Sequence, residues 1–144
     1  MSNFPHNYSA SANVKTEGNV SLNCEGCPGI ESAPPTEFGG PGDQWSPEDL
    51  LVGAVADCFV LSFRAIAGMS KFEFTSLSCN VEGTLDNVDR AIQFTGFTVK
   101  ADLVIPEGAD VDKAQRLLEK AEKTCFITNS LKAEPHLDAN ITHG

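Results

Sequence analysis

The sequence predicts an α+β domain in which an antiparallel sheet packs on a long buried central helix, and three patterns carry that prediction. Residues 50–67 are apolar almost all the way round a helical wheel. Residues 77–81 and 92–103 alternate apolar and polar side chains, as strands with one buried face do. Residues 110–121 repeat apolar positions at helical spacing.

Taken in order, Tyr8 to Lys15 and Asn19 to Asn23 read as a hairpin turned at Thr16-Glu17-Gly18. From Cys24 to Gln44 the density of Gly and Pro predicts turns and loops with at most a short strand. Ser46-Pro47-Glu48-Asp49 is a helix start: Ser46 can cap, Pro47 suits the first helical position, and the two carboxylates suit the N-terminal end of the dipole. Gly68 ends that helix. Phe72 and Phe74, then Leu77, Cys79 and Val81, describe a strand, with a turn at Asp86 to Asp89. In the next strand the apolar parity changes between Ile92/Phe94 and Phe97/Val99/Ala101/Leu103, so a β-bulge is expected at Gly96. Pro106 and Gly108 close it, Asp110 caps a second helix ending near Lys123-Thr124, and Leu137, Ala139 and Ile141 alternate in a last strand.

The 144 residues fit a single domain over 1–144. A formal charge of −10 removes the basic surface that nucleic-acid binding or adhesion to anionic membranes requires, so neither is an expected partner. Asp57, Ser62 and Arg64 interrupt the apolar segment, leaving less than the roughly 18 residues of a spanning helix. Residues 1–10 lack the pattern of a secretory signal, so the expected location is cytoplasmic. There, five irregularly spaced cysteines read as thiols with redox, metal or packing roles rather than as a disulfide scaffold.

Composition alone favours a packing role for Cys58, within the apolar helix, and allows the same for Cys125 after the second helix. Cys79 alternates with Leu77 and Val81 and reads as core. Cys24-Glu25-Gly26-Cys27 is half a zinc site without a second half, or a redox pair without the usual helix start, and reads most simply as loop thiols of no fixed role. Arg64 lies seven residues after Asp57 on the same helix face and is expected to pair with it.

Phe38-Gly39-Gly40-Pro41-Gly42, Ser46 to Leu51, Ala54 to Cys58, and Cys125 with Asn129-Ser130-Leu131 together resemble the pattern of the OsmC/Ohr family, the osmotically inducible protein C and organic hydroperoxide resistance proteins. The resemblance covers nearly the whole chain from Ser9 onward. It implies an OsmC-like fold, an intertwined homodimer, and a thiol peroxidase acting on organic hydroperoxides with no cofactor or metal. Cys58 would attack the peroxide as a thiolate and become a sulfenic acid, Cys125 would resolve it to a disulfide, and a dithiol reductant would reset the pair. Such a thiolate needs a cation or a good donor facing Cys58. The family supplies an arginine from the N-terminal strands, held by the glutamate that corresponds to Glu48. This sequence departs from that pattern. Its arginines are Arg64, Arg90 and Arg116, Asn19 falls near the expected position, and Lys15 is the nearest cation. Phe126 stands where many members carry proline after the second cysteine.

Glu48 and Cys58 are ten residues apart on one predicted helix, about 15 Å along its axis, so any support of Cys58 by Glu48 must come from a second subunit. Two other functions remain open: an OsmC-fold binding or stress-response protein without peroxidase activity, and a thiol or metal carrier using Cys24 and Cys27.

Overall fold

A computed structural model describes residues 3–144. The chain forms two compact units, the first ending at Leu50 and the second running from Leu51 to Gly144.

The first unit is built on a three-stranded antiparallel sheet of β1 (Ser11–Asn13), β2 (Val20–Asn23) and β3 (Ile30–Ser32) in sequence order. The expected hairpin is there, with Ala12 paired to Leu22 and Leu22 to Ile30. A single 3-10 turn, Thr36–Phe38, ends at Gly39 in the left-handed region (φ 90°). Gly40 then passes so close to the Pro34 carbonyl that a Cβ would have no room, which is why the Gly-rich run cannot carry a side chain there.

Helix α1 (Pro47–Met69) starts in the last residues of this unit. Ser46 Oγ accepts from the Asp49 N–H at 3.0 Å, and the Asp49 carboxylate accepts from the Ser46 N–H at 3.1 Å and its hydroxyl at 2.9 Å. This reciprocal cap, with Asp in the place more often taken by Glu, satisfies otherwise orphaned donors at the helix start.

The second unit holds most of α1, a sheet of order β4-β5-β6, and helices α2 (Val111–Lys123) and α3 (Phe126–Asn129). Strands β4 (Ser76–Val88) and β5 (Ala91–Ile105) form a long antiparallel ribbon. Strand β6 (Pro135–His143) pairs with β5 in parallel, so this sheet is mixed. The parallel pairing follows from connectivity: α2 and α3 carry the chain back along the ribbon before β6 begins. On β5, Phe97, Val99, Ala101, Leu103 and Ile105 point inward and are buried with Ala114, Leu117, Leu118 and Ala121 of α2 and with one stripe of α1, Val55, Phe59, Phe63, Ile66 and Ala67.

Four details differ from the sequence expectation or sharpen it. Phe72 and Phe74 are not in a strand; Lys71 turns left-handed (φ 54°), the Phe72 N–H donates to the Ala67 carbonyl at 2.8 Å, and Phe74 packs edge-on to Phe63 from a loop. The hairpin turn falls at Asp89-Arg90 rather than Asp86 to Asp89, because both residues take positive φ (51° and 69°) and close a two-residue turn between paired Val88 and Ala91. The bulge comes where Gly96 places it, with Thr84 opposite Gly96 and Leu85 opposite Phe94, leaving Thr95 unpaired. Finally, α1 is fully buried along one stripe, is half-buried at Leu51, Val52 and Val60, and leaves Leu61 and Met69 exposed; by length and composition it could cross a membrane. Apolarity around the wheel had suggested burial on several sides.

Candidate active site

Cys58 is half-buried beside the fully buried stripe of α1 and opens into a groove of about 600 Å³. Ala54, Leu61, Ala65, Ile66, Met69 and Phe126 give this groove apolar walls, while Asp57 and Lys120 add one charge of each sign. Met69 and Phe126 are 77% and 74% exposed, so the chain presents large apolar side chains to solvent at this groove.

The second cysteine arrives from the other direction. Cys125 is the N-cap of α3 and is buried, with its carbonyl accepting from the Asn129 N–H at 3.0 Å and the Thr128 hydroxyl at 3.3 Å. The start of α3 therefore brings the Cys125 thiol and the first amides of the helix, Phe126 and Ile127, to the Cys58 sulfur. Ser62, one helical turn after Cys58, places its hydroxyl 3.9 Å from the same sulfur.

These neighbours set opposite ionisation for the two thiols. Burial pushes Cys58 up, but the Ile127 N–H, the Cys125 thiol, the Ser62 hydroxyl and the Phe126 N–H stabilise the thiolate and hold its pKa below the ordinary cysteine value. Burial likewise raises Cys125; the Thr128 hydroxyl and N–H counter it, and Cys58 adds to the rise, so its pKa stays above the ordinary value. Cys58 is thus the more acidic thiol of the two. Both are free thiols. Cys79, on β4, has no such donors, and burial alone pushes it to about 11.

The family model of OsmC-like proteins matches residues 40–140. The chain belongs to the OsmC-like family. It is 31% identical over 96 residues to the peroxiredoxin OsmC of Escherichia coli strain K12, covering 67% of this chain and 66% of that one. The organic hydroperoxide resistance protein of Xanthomonas axonopodis pv. citri is 26% identical over 109 residues, 75% of this chain and 73% of that one. The OsmC-like protein of unknown function from Vibrio cholerae superposes with a TM-score of 0.86 at 19% identity, covering 94% of this chain and all of that one, a likeness of fold.

In this OsmC-like chain the Cys58 and Cys125 thiols are close enough to act on each other, Cys125 lying just outside the groove lining, whereas Glu48 stands elsewhere, ten residues before Cys58 along α1 and outside that lining. Its Oε1 is buried and accepts no hydrogen bond among the described residues. Asn19, near the position where the resemblance expects an arginine, is exposed and donates to Glu31 at 3.5 Å. Arg64 is exposed and does not line the groove that Asp57 enters. Cys24 and Cys27 sit exposed in the first unit, and no cluster of metal-ligating side chains occurs among the described residues.

Sequence reasoning missed Ser62, the α3 amides and Lys120. Ser62 was accessible, since a residue four after Cys58 shares its helix face. The amides were not, because a backbone donor has no side-chain signature and α3 is only four residues long.

Proposed function

We propose that this OsmC-like chain is one domain over 1–144 and acts in the cytoplasm as a thiol-dependent peroxidase of organic hydroperoxides. The observation that carries the reading is the pairing of Cys58, whose pKa is lowered, with Cys125, whose pKa is raised, beside an apolar groove that Cys58 enters. The names of the E. coli and Xanthomonas relatives support it. The Cys58 thiolate attacks the terminal peroxide oxygen, the O–O bond breaks, and the alkoxide leaves with a proton drawn from Cys125. The sulfur keeps the other oxygen as S–OH. Cys125, now a thiolate, attacks that sulfur and expels hydroxide, and a dithiol reductant returns the disulfide to two thiols. The groove walls favour an alkyl or aryl hydroperoxide over hydrogen peroxide, because only the organic part gains from burial against Leu61, Ile66 and Phe126.

The proposal includes a homodimer. The open side of α1, with Leu61 and Met69 exposed, needs a cover, and Glu48 needs a donor. A second copy would supply both. Titration of reduced protein with cumene hydroperoxide and with hydrogen peroxide, followed by disulfide mapping by mass spectrometry, tests the reading. One equivalent of cumene hydroperoxide should yield a Cys58–Cys125 disulfide, with hydrogen peroxide reacting more slowly. A protein inert to both would reduce the chain to a binding or stress-response member of the family.

A further inference from the structure

We propose that Cys24 and Cys27 form a second redox site, a dithiol that closes to an intrachain disulfide by exchange with small-molecule disulfides. Three features of the first unit support it. The two cysteines occupy the first and last positions of a β-turn closed by a hydrogen bond from the Cys27 N–H to the Cys24 carbonyl at 3.0 Å. Gly26 supplies the positive φ, 81°, that the turn demands. A β-turn holds its end Cα atoms within about 7 Å, and disulfides span about 4.4–6.8 Å between Cα atoms, so the turn brings the two residues to the range a bridge can span. Both thiols are also exposed and free, at the tip of the β2–β3 hairpin where a small reagent meets no barrier.

The exchange balances without a metal or peroxide. One cysteine thiolate attacks a sulfur of the small disulfide, whose S–S bond breaks to release the first thiolate. The other cysteine then attacks the protein sulfur of the mixed disulfide and releases the second. Two electrons pass to the small molecule, and the two cysteine protons end on its thiols.

The site is tested in full-length protein carrying Cys58→Ser and Cys125→Ser, with wild type run in parallel in case that variant folds poorly. Reduced protein is incubated with oxidised glutathione, and the remaining thiols are mapped with a maleimide by mass spectrometry. The expected result is loss of label at both Cys24 and Cys27, no retained glutathione, and full recovery with dithiothreitol. A further Cys27→Ser change should stop the reaction at a glutathione adduct on Cys24. Persistent labelling of both cysteines, glutathione retained on both, or a bridge between two chains would overturn the proposal.

Discussion

Cys58 on α1 and Phe126, the first residue of α3, line the same groove, and the Phe126 backbone N–H favours the Cys58 thiolate. Burial pushes the Cys58 thiol up, and this amide is one of the four donors that bring it down again. Proline has no N–H, so the residue found here in place of proline adds a donor to the thiolate.

Phe126→Pro removes that donor with little other disturbance. Phe126 is the first residue of α3, where proline is tolerated, and Cys125 has the extended backbone (φ −66°, ψ 115°) that a following proline requires. The Cys58 pKa should rise. Its thiolate fraction at pH 7 falls accordingly, and alkylation by monobromobimane should slow about threefold to tenfold, the net worth of an ordinary hydrogen bond, because this N–H is the weakest of the four donors. The loss should shrink as pH rises toward the new pKa. Phe126→Ala keeps the amide and should leave the alkylation profile in place, and Ser62→Ala should shift it in the same direction as proline does.

Cys58→Ser should abolish hydroperoxide consumption. Cys125→Ser should allow a single oxidation and leave a sulfenic acid that dimedone traps, because no second sulfur follows. Equal turnover by wild type and Cys58→Ser, measured with cumene hydroperoxide, would end the peroxidase reading.

Mixing Glu48→Ala, weak alone, with Cys58→Ser, inactive alone, should restore one intact site in the mixed dimer and raise activity above both parents. The α1 geometry motivates this, since about 15 Å of helix separates the two residues within one chain. Sedimentation as a monomer at micromolar concentration would rule the shared site out.

Replacing both Cys24 and Cys27 by serine should leave hydroperoxide turnover and thermal stability nearly unchanged. Neither side chain is buried, and neither lines the Cys58 groove. A change in kcat, or stoichiometric zinc lost with the double substitution, would show that the pair serves more than exchange with small disulfides.

Much of this architecture is legible in the sequence where side chains report on their surroundings. The inward parity of Phe97 to Leu103, the bulge at Gly96 and the Ser46 and Asp110 caps all follow from residue type and spacing. What depends on chain direction or backbone alone is not legible. Alternation at Leu137, Ala139 and Ile141 is the same whether β6 runs parallel or antiparallel, and Asp89-Arg90 lacks the Asn or Gly that usually marks a two-residue turn. The candidate site divides in the same way. Cys58 and Cys125 could be named from family pattern, whereas the amides that tune Cys58 became visible only when α3 was placed.

The parallel pairing of β6 with β5 joins Phe97 to Pro135 and Ile105 to His143, positions far apart along the chain, while the β4–β5 ribbon closes through two residues. Loop-closure entropy makes the distant pairing the slower event. During refolding the ribbon should assemble first, with β6 as the late arrival that traps Cys125 beside Cys58 on the way. Pulse-labelling hydrogen exchange should accordingly show amides of 79–85 protected before those of 137–141, and the two thiols should acquire their unequal reactivity only in the later phase.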